Sequence, residues 1–225
     1  MAVASPVGVR RTVAALLTLT VVTGLIDAVS YLRLGRVFVA NMTGNVVFLG
    51  FSVQPNSGLS ALASLVAIAG FVLGAFGGGR LAAAQSARTS HWLGVALGTE
   101  AVVVSAVAVL TSTGVLPAHE HGSWVTIAVL AAALGVQNST VRHLGVPDLT
   151  TTVLTLGLTG LAADGGWRGR PARRRAASVL AMLAGAAAGA ELVQASTSAA
   201  IAIAAALVAI AAVLLSRPRL GQSTR

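Results

Sequence analysis

Apolar residues run along this chain in long blocks separated by short polar breaks. The blocks cover approximately residues 12–32, 37–53, 59–84, 91–113, 123–144, 149–163, 176–193 and 196–216. Several approach or exceed the roughly 20 residues that an α-helix needs to cross a bilayer. The second and sixth blocks are short and carry polar residues. The pattern predicts an all-α, polytopic transmembrane helix bundle of about six crossings, with two short broken or re-entrant segments.

Arginine placement separates two topologies. If all eight blocks cross, ten arginines lie inside and five, Arg33, Arg36, Arg80, Arg88 and Arg142, lie outside. If the two short blocks dip in and return, twelve arginines gather in the cytoplasm and the outer loops, around 54–58, 116–122 and 193–196, carry none. Arginine collects in cytoplasmic loops, so six crossings are expected, with both termini cytoplasmic. Arg33, Arg36 and Arg142 are then left embedded or near the outer boundary. The expected organisation is a cytoplasmic tail over 1–11, a membrane half over 12–113, a second over 123–216 and a tail over 217–225.

Composition supports the membrane reading. Of 225 residues, 56% are hydrophobic and 9% charged, with a mean hydropathy of +0.86. Soluble domains average about 25% charged residues. The net charge of +9 belongs to topology, since no basic stripe is interleaved with aromatics as nucleic-acid binding requires. No nucleic-acid partner is expected; the lipid bilayer is. The chain has no cysteine, which excludes disulfides, thiolate metal sites and thiol catalysis. Residues 10–30 have the basic start, apolar run and small-x-small triplet of a secretory signal. An internal counterpart argues that this helix is retained.

That counterpart appears when the sequence is slid by 111 residues. "GLIDA" at 24–28 falls on "GVQNS" at 135–139, so Asp27 meets Asn138. "GAFGGG" at 74–79 falls on "GAAAGA" at 185–190, and Gly74 and Gly78 meet Gly185 and Gly189. Each half continues into a short threonine-containing segment. Three crossings per half would insert the second half upside down, an inverted repeat. Interrupted segments at matching places of inverted halves point to a transporter binding site. The glycines, spaced by four, line helix faces for close packing.

Polar residues cluster at the same places. A carboxylate in hydrocarbon costs about 2.5–3.5 kcal/mol on insertion scales. Asp27 lies toward the outer third of the membrane by its depth in the helix, with Tyr31 one turn on, and Gly35 permits a turn beyond. Such a break is tolerable only if buried or lining a wet cavity. Asp27, Tyr31, Asn41, Thr43, Asn45, Gln137, Asn138, Arg142, Thr151 and Thr152 form the candidate solute-binding set, with Asp27 able to pair with Arg142. Pro147 ends a helix and Asp148 caps the next segment. Glu100 is a second embedded acid, and Asp27 and Glu100 are the candidate proton-coupling groups. "HEH" at 119–121 lacks a further ligand in sequence, so no metal and no cofactor are expected. No nucleotide loop or nucleophile elbow is visible, and the chain is not expected to be an enzyme.

Three motifs are specific: D-A-x-S-Y-L at Asp27–Leu32, F-x-A-N-M-T-G-N at Phe38–Asn45, and G-x-Q-N at Gly135–Asn138 with T-T-T-V-L-T at Thr150–Thr155. Through them the chain resembles the YoaK-type family of bacterial inner-membrane proteins over roughly residues 12–216. The resemblance implies location and several membrane helices, and supplies no reaction. Two functions follow as expectations: a permease of a small solute or ion, or a non-transporting structural or assembly protein whose polar core only satisfies broken helices. Either leaves room for a homo-oligomer.

Overall fold

A computed structural model describes residues 8–85, 89–117, 122–144, 154–163 and 169–216. Every regular element among them is helical. Helix α1 (Val9–Val29) runs on into a π-helical stretch (Ser30–Gly35). There follow α2 (Met42–Phe51), α3 (Ala61–Ala84), α4 (Thr89–Ser112), α5 (Trp124–Leu144), α6 (Leu154–Ala163), α7 (Arg170–Ala195) and α8 (Thr197–Ser216). Helix keeps every backbone group satisfied within its own segment, which a hydrocarbon surround demands. The hydroxyls of Thr18, Thr20 and Thr23 join in by donating to carbonyls one turn back.

Among the described residues, six helices are long and apolar enough to cross a membrane: Val9–Gly35, Ala61–Ala84, His91–Ser112, Trp124–Leu144, Pro171–Ala195 and Thr197–Ser216. Helices α2 and α6 have 10 residues each. At 1.5 Å per residue they reach about 15 Å, half the roughly 30 Å of a hydrocarbon core. The described residues thus form the expected all-α bundle, with six helices of crossing length and two shorter ones.

Three pairings build the bundle. α1 lies parallel to α7, α3 parallel to α5, and α4 antiparallel to α8. Glycine permits the first two. Gly185 and Gly189 of α7 sit on the backbone of Val21 and Leu25, while Gly24 of α1 sits on Met182 and Ala186. In the other pair, Gly74 and Gly78 sit on Ala132 and Val136, and Gly135 sits on Phe71 and Ala75. A side chain at any of these positions would collide with the facing helix, so the small residues set the interhelical distance. Gly94 at the start of α4 meets Ser216 at the end of α8. The most enclosed crossing is α1; its Leu16, Leu19 and Ile26 are buried together with Leu97, Ile127, Leu134 and Ile201.

The two ends of the bundle differ in charge. Gly35, at the end of the π-helical stretch, lies against Ala63 at the start of α3 and Ile127 near the start of α5. Ser123 donates to the carbonyl of Leu34 at the same end. Arg33 and Arg36 lie there. Arg10, Arg11, Arg80 and Arg173 to Arg175 lie at the other end. Arg142, expected near the outer boundary, joins this second group: α5 runs parallel to α3, so its last turn ends beside the turn carrying Arg80. Gly160 of α6 packs on the Arg175 guanidinium.

Candidate functional site

The polar cluster near the start of the chain is built around a helix that stops partway. The π-helical stretch closes on Gly35 at φ +152 and Arg36 at φ +54. Glycine is at ease with positive φ, which explains why the turn falls at Gly35. The chain then folds back along α1 before α2 begins, and this irregular backbone must be satisfied from within.

Three side chains do that. Oδ1 of Asp27 accepts from the backbone N–H groups of Val39 and Ala40, each at 2.9 Å. The Ser30 hydroxyl lies 2.8 Å from the Val37 carbonyl and 3.1 Å from that of Asp27. Asn45 in α2 binds Phe38 from both sides: its Oδ1 accepts from the Phe38 N–H at 2.9 Å and its Nδ2 donates to the Phe38 carbonyl at 2.5 Å. Tyr31 joins Phe38 and Phe48 in an aromatic trio with ring centroids 5.4, 5.7 and 5.3 Å apart. Tyr31 therefore packs the turn and does not stand among polar groups.

The expected pairing of Asp27 with Arg142 does not form. The returning segment supplies Asp27 with donors locally, and Arg142 is exposed in the last turn of α5. Asn138 is half-buried and its Nδ2 donates to the Leu134 carbonyl at 2.9 Å. It is Gln137 that reaches across to α1, with Nε2 at 3.5 Å from Thr23 Oγ1. Asn41 is half-buried just before α2, and Thr43 is exposed. Thr151, Thr152, Asp148 and "HEH" at 119–121 lie outside the described residues.

Several oxygens remain unused. Asp27 Oδ2, Gln137 Oε1, both carboxylate oxygens of Glu100 and the hydroxyls of Ser64, Thr126 and Thr140 are buried without a hydrogen-bond partner. Asp27 is 4% exposed and Glu100 3%. Buried polar groups are nearly always paired, so such a set inside a bundle is chemically notable. Sequence reasoning missed Thr23, Ser30, Thr126 and Thr140. Thr23 could have been found one turn before Asp27 on the same face, and Thr140 one turn after Gln137.

Residues 15–214 match the family described as protein of unknown function DUF1275. The chain belongs to this family. It is 32% identical over 159 residues to UPF0700 transmembrane protein YoaK of Bacillus subtilis (strain 168), covering 69% of this chain and 67% of that protein. No solved structure matches it. This chain is thus an integral, multi-pass membrane protein of the DUF1275 family. Two of the motifs behind the resemblance now share a physical purpose. D-A-x-S-Y-L supplies Asp27, Ser30 and Tyr31, and F-x-A-N-M-T-G-N supplies the backbone N–H groups that Asp27 accepts from, the Phe38 ring that Tyr31 stacks on and the Asn45 that binds Phe38.

Proposed function

We propose that this chain is a permease for a small solute or ion, made of two inverted halves meeting around Asp27, Gln137 and Asn138. One observation carries the reading. Gly24 sits on Met182 and Ala186, and Gly135 sits on Phe71 and Ala75; Gly185 sits on Val21, and Gly74 on Ala132. Adding or subtracting 111 turns each contact into its counterpart. A chance match of glycines in a biased sequence would not reproduce their partners. The α1–α7 pair runs against the α3–α5 pair, so equivalent helices point in opposite directions, the arrangement that many transporters use.

The same relation locates the midplane. Thr23 bonds Gln137, which puts the level where α1 and α5 meet their own images at Gly24 and Gly135. Asp27 is then within about 4 Å of the midplane at 1.5 Å per residue, deeper than its position in the first helix suggests. The tight glycine seams join helices of opposite halves. Each moving body would therefore be a pair, α1 with α7 or α3 with α5, and the pathway would run between them. Asp27 Oδ2, Gln137 Oε1 and Thr140 offer acceptors along it, with Asn41 and Thr43 at the start of α2. The location would be the bacterial inner membrane, the arginine-rich end cytoplasmic.

Because the chain has no native cysteine, single cysteines at Thr23, Gln137 and Thr140 test the pathway directly. A water-soluble, membrane-impermeant thiol reagent should modify at least one of them in vesicles, and changing the vesicle orientation should change which one. Silence at all three, with Ser57→Cys reacting normally, ends the permease reading. One observation favours the structural alternative: Asp27 Oδ1, Ser30 and Asn45 are taken up by backbone, as in a core that only holds a broken helix.

A further inference from the structure

The described buried polar groups include two acids, Asp27 and Glu100, and neither arginine nor histidine. Asp27 has backbone donors. Glu100 has none: it lies 3% exposed in the middle of α4, and both its oxygens lack a partner. It sits on the packed stripe of α4 with Leu93, Leu97, Val104 and Val107. Helices α8, α5 and α3 pack against α4. With Gly94 beside Ser216 and the two helices antiparallel, Glu100 is level with about Ile210. The buried face of α8 around that level is Ala204, Ala205, Val208, Ala211 and Ala212, and α8 has no titratable residue at all. On α5 the titratable groups are Arg142 and His143, both exposed in its last turn. Arg80 on α3 is exposed and stacked on Phe76, and His91 on α4 itself is exposed.

An isolated ionised carboxylate in such a place is among the most costly groups a protein can bury. A metal cation would need six or so oxygen ligands, and no polar partner stands within hydrogen-bond distance of either Glu100 oxygen. A proton is the cation that needs no ligand shell. We propose that Glu100 is a proton-binding site in the middle of the membrane, on the packed stripe of α4, where a proton is taken up and given back. With neither oxygen held by a partner, the packing around α4 need only loosen slightly for water to reach the carboxyl. This goes beyond the solute pathway at α1 and α5, and its readout is a proton, so it can fail or stand without any substrate being known.

Infrared spectroscopy of the full chain in lipid nanodiscs reads the proposal. Subtracting the Glu100→Gln spectrum from the wild type should leave a carboxylic-acid carbonyl band at acidic pH that shifts in deuterated water and disappears reversibly at alkaline pH. Its complete loss in Glu100→Gln and retention in Asp27→Asn assign it. A wild-type measurement stands beside the variants: mass spectrometry after treatment with a lipid-soluble carbodiimide, which bonds to protonated carboxyls, should find the adduct on Glu100 in acid and little in alkali. A band absent at every pH overturns the proposal, because the acid is then always ionised. A band that neither titrates nor exchanges with deuterium also overturns it, because the proton is then a fixed structural part.

Discussion

At Asp27 a side chain does for a returning loop what an N-cap residue does for a helix start, accepting from N–H groups that would otherwise point into a dry interior. Two donors converge on one oxygen, so acceptor geometry is what the fold needs there. Asp27→Asn keeps an oxygen in that place and should fold with normal membrane abundance. Asp27→Ala orphans two buried N–H groups at about 1–3 kcal/mol each. It should lower the melting temperature of the detergent-purified protein well below that of the asparagine variant. Equal loss in both would mean that the charge, and not the acceptor, matters. Asn45→Ala should be as damaging as Asp27→Ala, since Phe38 loses both its partners. That Asp27 and Asn45 belong together was readable from their presence in an apolar run. That both bind backbone, Asp27 in place of Arg142, was not, because the chain's return over α1 depends on the left-handed turn at Gly35 and Arg36, which no periodicity reveals.

Helix pairing rests on glycine, and matched substitutions test it. Gly24→Ala and Gly135→Ala each push a methyl group into the facing backbone, as do Gly74→Ala and Gly185→Ala. Overpacking of this kind costs about 1–3 kcal/mol, and within each matched pair the losses should agree if the two seams are images of one another. Gly77→Ala is the control. Nothing lies within 4 Å of its new methyl, and alanine is the better helix former by about 1 kcal/mol, so thermal stability should hold or rise. A loss at Gly77 equal to the others would mean that the glycines act through backbone flexibility instead. The glycine spacing of four was visible in the sequence and predicted close packing. The choice of partner was not, because spacing marks a face without saying which helix will cover it.

The molecule as a whole is polarised by charge. The end where Gly35 meets Ala63 and Ile127 carries Arg33 and Arg36 among the described residues, and the other end carries Arg10, Arg11, Arg80, Arg142 and Arg173 to Arg175. All eight apolar blocks were recognisable because hydrophobic length is a local property. The side on which Arg142 lies is a global one, fixed by the parallel run of α3 and α5, which is why it was misjudged. Arginine is held on the cytoplasmic side during insertion, so the arginine-rich end should face inward. Reporters active only outside the cytoplasm should therefore give signal when fused after Ser57 or Gly114 and none after Gln85. Eight crossings would reverse all three, since one extra passage, the block over 37–53, would come before each of these loops. Arg33 is no obstacle to an outward end: its Nη2 is 3.3 Å from the Val193 carbonyl at the end of α7. There the guanidinium caps a helix C-terminus, where a positive charge is stabilised by the unpaired carbonyls of the last turn, and so it can be carried across at less cost than a free arginine.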